Sequence, residues 1–190
     1  MKISLYSTCL LWITILLTTC GSTNTDKTEN AEKRVAIEER LMAELSPSND
    51  RAGQQRNELI NFAIDRAWDV GPAEAGYFYE IRQRGEGDLL QWGDLVRAHY
   101  KGMRLDGTVF NDSRLQGGKL DFYVGAMIPA WNDALQKVRP GASLRLLVPS
   151  DLAYGEEGLQ TADGEQVVAP HTTMAFEIDE VELVRKAKTD

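Results

Sequence analysis

The chain has 190 residues, a formal net charge of −8, and a composition of 43% hydrophobic and 26% charged residues. These values are ordinary for a soluble globular domain, and the length is sufficient for one hydrophobic core with an appendage. The acidic balance argues against nucleic acid and against a basic lipid-binding patch, because both kinds of binding depend on lysine and arginine facing phosphate groups.

The N-terminus has the pattern of a secretory signal over residues 1–19. Lys2 precedes a mostly apolar stretch, residues 3–17, which is shorter than the ~20 apolar residues that a membrane-spanning helix needs. A membrane anchor helix is the alternative, and the serine and threonine residues scattered through the stretch count against it. The segment that follows, Leu17-Thr18-Thr19-Cys20, resembles the lipobox of bacterial lipoproteins, which implies cleavage before Cys20 and acylation of that cysteine.

A polar tether and a helical extension follow the predicted lipidation site. Residues 20–30 lack large apolar side chains and predict a disordered tether. Residues 31–75 predict the helical extension, with one helix over 31–45, a break at 46–50 and a second helix over 51–68. The second helix has a broad apolar face, and packing on its own domain is the simplest interpretation of that face.

From residue 76 onward the pattern changes to β-strands, and residues 76–186 predict one compact α+β domain. In the last strand the apolar positions shift from even to odd numbers, which predicts a bulge near Asp179-Glu180. The predicted strands are 77–81, 95–105, 120–124, 143–148 and 173–184, with a short helix over 129–138 and a long glycine-containing loop over 151–170.

Nucleophilic, metal and phosphoryl-transfer sites have no support in the sequence. The two histidines, His99 and His171, stand alone, and no His-x-Glu or Cys-x-x-Cys spacing accompanies them. The sequence contains neither a Gly-x-Ser-x-Gly turn nor a glycine-rich phosphate loop. The interpretation is therefore a site that works without metal or cofactor.

Large aromatic side chains on separate elements are the strongest indication of a functional site. Tyr100 and Phe110 lie on two short β runs joined by an Asp-Gly turn. Rings that come from five different elements suggest one aromatic pocket assembled from distant segments. The alternative, that such rings are only core, is favoured for Phe122 and Tyr123. Three further pocket candidates each stand beside their own turn signal: Trp131, Tyr154 and Phe176.

Five sequence blocks around these rings resemble the FKBP-type peptidyl-prolyl cis-trans isomerases, in the order in which that family carries them. The resemblance covers about Tyr77 to Lys186 and implies the FKBP-like fold, an antiparallel β-sheet wrapped around one short helix. The blocks are Val96-x-x-His99-Tyr100-x-Gly102-x-x-x-Asp106-Gly107-x-x-Phe110, Phe122-x-Val124-Gly125, Ile128-Pro129-Ala130-Trp131, Pro149-x-x-Leu152-Ala153-Tyr154-Gly155 and Ala169-Pro170-His171-Thr172-Thr173-Met174-x-Phe176.

The resemblance also implies a role for each residue of the pocket. Trp131 would form the floor under the substrate proline ring, and the hydroxyl of Tyr154 would hydrogen-bond the substrate. The backbone of Met127 and Ile128 would dock the peptide. The walls would be formed by Tyr100, Phe110, Phe176 and Val168, with Leu120 at a position that is commonly aromatic in the family.

The activity that the resemblance implies is isomerisation of X-Pro bonds in envelope proteins, with proline-containing polypeptides as partners and no cofactor. A barrier of ~18–20 kcal/mol separates the two planar forms of the amide, and uncatalysed exchange takes tens to hundreds of seconds. The twisted transition state has lost its resonance and carries a less polar carbonyl, so a dry aromatic pocket favours it over the planar amide. Catalysis is then differential binding, without an acid or a nucleophile.

Two positions depart from the family's pattern. The family usually has Asp-Ser-Ser after the phenylalanine, whereas Asn111-Asp112-Ser113 stands here, so the pocket carboxylate falls on the uncharged amide of Asn111. Asp112 would point to the other face of a strand unless a local bulge turns it inward. The second departure is Leu159, near where many relatives carry a pocket histidine. A weakly catalytic or non-catalytic chaperone or assembly factor that binds peptides in the same pocket is therefore the alternative function.

The helical extension adds expectations about assembly and location. Secreted bacterial members of the family often use such a region for dimerisation or for holding substrate, which implies a homodimer through residues 31–75. A lipidated cysteine, a polar tether, two helices and a C-terminal isomerase domain together resemble the gliding-motility-associated isomerase lipoproteins of the Bacteroidetes. The location that this implies is the bacterial cell envelope, with the lipoprotein at the outer membrane facing the periplasm.

Overall fold

The computed structural model describes residues 22–188. The predicted signal and the lipidation site at Cys20 therefore lie outside the described residues. The helices are Ser22–Met42 (α1), Arg51–Arg66 (α2) and Pro129–Leu135 (α3). The strands are Gly71–Pro72 (β1), Phe78–Gln83 (β2), Leu95–Arg104 (β3), Val109–Asp112 (β4), Leu120–Tyr123 (β5), Ser143–Val148 (β6), Leu159–Gln160 (β7), Gln166–Val168 (β8) and Met174–Arg185 (β9).

One antiparallel sheet organises the domain. Its strands run in the order β1-β2-β6-β9-β3-β4, and β5 also pairs with β3. The long strand β9 lies near the centre and forms hydrogen bonds with both β3 and β6. The predicted fold, an antiparallel sheet around one short helix preceded by helices, is confirmed.

Both faces of the sheet are covered, because side chains alternate between them along each strand. On β6, Leu144 and Leu146 pack in the inner core together with Trp131 of α3. The next residue, Leu147, points to the opposite face and packs in an outer core with Phe78 and Ala175. The short helix therefore fills one side of the sheet, and the other side receives a second layer.

That second layer is the helical extension. The buried apolar residues of α2, among them Leu59, Ile60 and Ala63, pack in the outer core of the sheet. In α1, Ile37 and Leu41 reach the same core, whereas every residue from 27 to 36 is exposed. The apolar face of α2 thus packs on its own domain, the simplest interpretation of its sequence pattern.

The N-terminal boundary of α1 differs from the sequence prediction. The tether predicted over residues 20–30 is wrong from Ser22 onward, because α1 begins there. Residues 22–42 contain no glycine or proline that would end a helix, and the alanine, glutamate, lysine and arginine residues that favour helix are concentrated over residues 31–42. Although α1 is 21 residues long, none of the helices within residues 22–188 is apolar enough to cross a membrane.

The C-terminal half shows one further difference from the sequence prediction and one agreement with it. The loop predicted over residues 151–170 holds a short 3-10 turn at Ser150–Leu152 and the small hairpin of β7 and β8. The bulge predicted near Asp179-Glu180 is confirmed: the register between β3 and β9 shifts there, and Glu180 has a φ of 53°. The bulge lets one continuous strand change which of its residues face the core.

Candidate active site

Trp131 lies at the centre of a cluster of aromatic rings. Pro129 begins α3, as expected for a residue whose missing N–H suits the first helical turn, and this places the indole 2% exposed beneath the sheet. The ring centroids of Tyr100 and Phe176 each lie 5.5 Å from that of Trp131, with edge-to-face geometry. Phe122 contacts the same indole at 5.7 Å.

Phe110 and Tyr154 extend this cluster toward solvent. The Phe110 ring lies edge-to-face with Tyr154 and with Phe176, each at 6.2 Å between centroids. Both Phe110 and Tyr154 are half-buried, whereas Phe176 is buried. The five rings predicted to form a pocket are therefore brought together, with two of them at its rim. Their roles in catalysis stay a prediction.

A glycine on β3 makes room for the Phe110 ring. Phe110 is the extra residue of a bulge in β4, because Gly102 pairs with Asn111 while Met103 pairs with Val109. A Cβ at Gly102 would lie 2.5 Å from Phe110 Cζ and 3.1 Å from a carbon of the Phe176 ring. The ring of Phe110 thus lies directly over the backbone of β3, and a larger residue at position 102 fits only if that ring moves.

We expect Gly102→Ala to lower kcat/KM by about tenfold, because the new methyl group must push the Phe110 ring outward from the pocket. The measurement is a proline-peptide isomerisation assay on folded variant. Gly71→Ala is the matched control, since that strand glycine leaves ordinary van der Waals space for a Cβ, with the nearest atom at 3.9 Å. Equal activity in the two variants would contradict the placement of Phe110.

The remaining predicted binding residues surround the rings unevenly. Val168 of β8 is buried in the same core as Trp131. Met127 and Ile128 are half-buried just before α3. Leu120 is exposed and lines, together with Tyr100, a shallow cavity of about 180 Å³. Leu120 thus belongs to the rim of the site, on the side of Tyr100.

The structure adds Asn132, which the sequence analysis did not single out. Its Oδ1 accepts hydrogen bonds from the backbone N–H groups of Gly125 (2.8 Å) and Met127 (3.1 Å), and its Nδ2 donates to the Met127 carbonyl at 2.6 Å. Asn132 is buried. One amide therefore fixes the backbone segment that the family resemblance assigns to peptide docking.

Asn111 places an uncharged amide beside Tyr100, at the position where the family usually carries a carboxylate. The bulge of β4 comes before Asn111, so it does not turn Asp112 toward the pocket. The Asp112 carboxylate instead accepts a hydrogen bond from the backbone N–H of Arg114 at 2.9 Å. The carboxylate of Asp112 therefore stabilises the turn after β4.

Unpaired polar atoms are concentrated in this pocket. Among the described residues, three buried side-chain polar atoms have no hydrogen-bond partner, and two of them are Asn111 Oδ1 and Trp131 Nε1. A buried polar group without a partner costs about 1–3 kcal/mol, and native structures keep few of them. Two of the three such atoms thus lie within the aromatic cluster around Trp131.

Both pocket tyrosines stay protonated at neutral pH. Burial, and then the neighbouring Tyr100, raise the pKa of Tyr154 to about 12. Burial also raises the pKa of Tyr100, and the adjacent Asn111 side chain partly offsets this. The Tyr154 hydroxyl forms no hydrogen bond with another described residue and can donate one to a substrate.

We expect kcat/KM to be constant between about pH 6 and pH 9, because neither tyrosine ionises in that range.

The folded-state pKa of Tyr154 lies above its ordinary value of 10.0. Its contribution to stability is therefore present below pH 10 and lost as the pH rises toward 12. Urea unfolding at several alkaline pH values should show a shallower loss for Tyr154→Phe than for the wild type. The same slope in both would contradict the burial of this hydroxyl.

No group of three or more potential metal ligands occurs within residues 22–188. His99 contacts the hydroxyl of Ser113 at 3.1 Å, and His171 contacts a guanidinium nitrogen of Arg51 at 3.1 Å. The chemistry available at the site is that of aromatic rings, the two phenolic hydroxyls of Tyr100 and Tyr154, the Asn111 amide and backbone amides.

Known proteins are similar to this chain in sequence and in fold. The sequence profile of the family described as FKBP-type peptidyl-prolyl cis-trans isomerase matches residues 87–181, half of the chain. The chain is 35% identical over 157 residues to the FKBP-type 22 kDa peptidyl-prolyl cis-trans isomerase of Escherichia coli K12, covering 79% of this chain and 74% of that protein.

Two other similarities differ in extent. The isomerase FkpA of Escherichia coli K12 is 27% identical over 149 residues; the match covers 78% of this chain but only 52% of FkpA. A solved structure of a peptidyl-prolyl cis-trans isomerase from Pseudomonas syringae pv. tomato has a TM-score of 0.56 and 26% identity, covering 75% of this chain and 98% of that one. The similarity thus extends over sequence and fold together.

Proposed function

Because this chain belongs to the FKBP-type peptidyl-prolyl cis-trans isomerases, we propose that it isomerises X-Pro bonds of envelope proteins in the pocket around Trp131. The observation that carries the assignment of the pocket is the contact of Trp131 with the rings of Tyr100 and Phe176. Phe110 and Tyr154 complete the opening at the surface. The proline ring would lie on the indole, between these walls.

The proposed mechanism is preferential binding of the twisted amide. A buried indole and surrounding rings exclude water, so the polar planar amide loses more solvation on entering than the twisted one does. The Tyr154 hydroxyl, which burial keeps protonated, would hydrogen-bond a substrate carbonyl and fix its position. Each ~1.4 kcal/mol by which the pocket prefers the twisted form gives a tenfold faster reaction.

A proline-peptide isomerisation assay on the chain without its signal tests this proposal. We expect acceleration over the uncatalysed rate that depends linearly on enzyme concentration. Circular dichroism on the same sample confirms that the protein is folded. A folded protein that leaves the rate at the background value would refute the proposal.

We also propose that the protein is a lipoprotein of the bacterial cell envelope, anchored at Cys20 and facing the periplasm from the outer membrane. The lipobox-like segment before Cys20 supports this. Stable anchoring requires more than one acyl chain, at about 0.8 kcal/mol per buried CH₂. Mass spectrometry of the N-terminal peptide should find Cys20 acylated, and membrane fractionation of Cys20→Ser should move the protein to the soluble fraction. An unmodified Cys20 would refute the anchor, and recovery in the inner membrane would refute the outer-membrane assignment.

The second candidate function is a chaperone or assembly factor that turns over slowly. Asn111 favours it, since its buried Oδ1 has no partner where family members usually carry a carboxylate. On this alternative, Asn111→Asp should raise kcat/KM by tenfold or more, because a carboxylate would accept a hydrogen bond from the Tyr100 hydroxyl and fix that wall. An unchanged kcat/KM in an already active protein would count against the alternative.

Dimerisation through the helical extension is a further part of the proposal. The apolar face of α2 packs on its own sheet, so a second copy would use α1, where Val35 and Met42 are each 54% exposed. Analytical ultracentrifugation should then give a dimer that Val35→Glu dissociates. A monomer at all concentrations would refute it. The narrower resemblance to gliding-motility-associated lipoproteins stays a prediction.

A further inference from the structure

One buried side chain of the helical extension contacts the loop that carries part of the pocket. Gln55 is the buried polar residue of α2 and is 6% exposed. Its Oε1 accepts a hydrogen bond from the backbone N–H of Ser150 at 3.0 Å. Its Nε2 donates to the carbonyl of His171 at 2.8 Å and to the hydroxyl of Ser150 at 3.0 Å. The amide thus satisfies both its donor and its acceptor in the core.

The two residues that Gln55 binds are the ends of one loop. Residues 150–171 leave the sheet after β6 and return to it just before β9, and they carry Tyr154 and Val168. The ends lie close together, since the His171 N–H donates to the Gly155 carbonyl at 2.8 Å. Gln55 therefore bridges the point at which the loop opens and closes.

Tyr154 depends directly on the position of Ser150. The N–H groups of Ala153 and Gly155, on either side of Tyr154, both donate to the Ser150 carbonyl, at 2.9 Å and 2.8 Å. Ser150 is fully buried, and its own N–H is bound by Gln55. A shift of Ser150 would thus move the Tyr154 ring, which packs against Phe110 at the rim of the pocket.

We infer that Gln55 is a positioning residue for the reaction, through which the helical extension sets the place of Tyr154 and Val168 in the pocket. The inference rests on the proposed function of that pocket. Gln55 touches no reacting atom, and it acts by holding both ends of residues 150–171. The extension is then a working part of the active site as well as a cover for the sheet.

Gln55→Met tests this inference in the full chain, because methionine keeps the length of the side chain and removes its hydrogen bonds. We expect kcat/KM to fall about tenfold, and amide hydrogen exchange to speed up at Gly155 and His171 but not in β3. Gln55→Asn is the second variant. Its amide is chemically the same but too short to bridge both ends, so the same loss is expected if methionine prevents folding.

Phe62→Leu is the matched control. Phe62 is a buried residue of α2 that packs edge-to-face on Trp68, 5.4 Å between centroids, in the outer core of the sheet. We expect it to lower the melting temperature while kcat/KM and exchange in residues 150–171 stay at wild-type values. The inference would be overturned if Phe62→Leu lost as much kcat/KM as the Gln55 variants. It would also be overturned if both Gln55 variants kept a kcat/KM within twofold of wild type. If the wild type has no isomerase activity, the proposed function fails, and unchanged exchange at Gly155 separately refutes the bridge.

Discussion

Phe110→Ala is expected to lower kcat/KM for X-Pro isomerisation by about 100-fold, which corresponds to about 2.7 kcal/mol of transition-state stabilisation. The substitution removes the ring that contacts both Tyr154 and Phe176. Water would then reach the indole of Trp131 from the rim, and the planar amide would keep more of its solvation in the pocket. Since the pocket is proposed to work by disfavouring that planar form, the variant should isomerise X-Pro bonds more slowly.

The neighbouring residue on β4 provides the control for this prediction. Val109 is 44% exposed, and Val109→Ala removes apolar volume from the same strand without touching the rings. We expect kcat/KM within twofold of wild type for that variant. Because Phe110 is only half-buried, its alanine variant should remain folded by circular dichroism. A fall of less than threefold for Phe110→Ala would exclude Phe110 as a wall of the pocket.

Trp131→Ala is expected to lower the free energy of unfolding by about 3–5 kcal/mol, the range for deleting a large buried aromatic side chain. The indole contacts three rings and is 2% exposed. The cavity left behind lies between α3 and the sheet, where the surrounding rings belong to separate elements and cannot all close in. Urea denaturation at neutral pH measures the change from the transition midpoint.

Two comparisons make the stability prediction specific. Tyr123→Ala removes a ring that is 45% exposed and whose hydroxyl accepts a hydrogen bond from Arg185, and its effect should be about 1 kcal/mol, the usual net contribution of one hydrogen bond. Trp131→Phe keeps part of the ring volume and should lose clearly less stability than Trp131→Ala, while still lowering kcat/KM. If Trp131→Ala were as stable as Tyr123→Ala, the indole would not be the support of this core.

The sheet was predictable where side chains alternate. The bounds predicted for β6, 143–148, agree with the structure at both ends, because Leu144, Leu146 and Val148 recur with period two. The hairpin of β7 and β8 was not predictable, since its strands have two and three residues and carry no periodic pattern. The start of α1 is not predictable, because residues 22–30 are mostly serine, threonine, asparagine and aspartate, which have low helix propensity.

The site divides in the same way. Tyr100, Phe110 and Trp131 could be proposed from the sequence, because each stands on its own element and within a motif. Gln55 and Asn132 could not, since one buried amide among polar neighbours leaves no pattern in a sequence. Their importance comes from the backbone atoms that they bind, which are brought near only by the folded chain.

With the proposed lipid anchor, the length of α1 would affect which polypeptides the active site can reach. From Ser22 to Ile37, a residue of α1 that packs on the domain, an α-helix rises about 22 Å at 1.5 Å per residue. With the acyl group proposed at Cys20, two residues before Ser22, the length of that helix would limit how far the catalytic opening can lie from the lipid headgroups. The anchored enzyme would then diffuse only in a layer parallel to the bilayer. Its substrates would be polypeptides that lie close to the membrane surface.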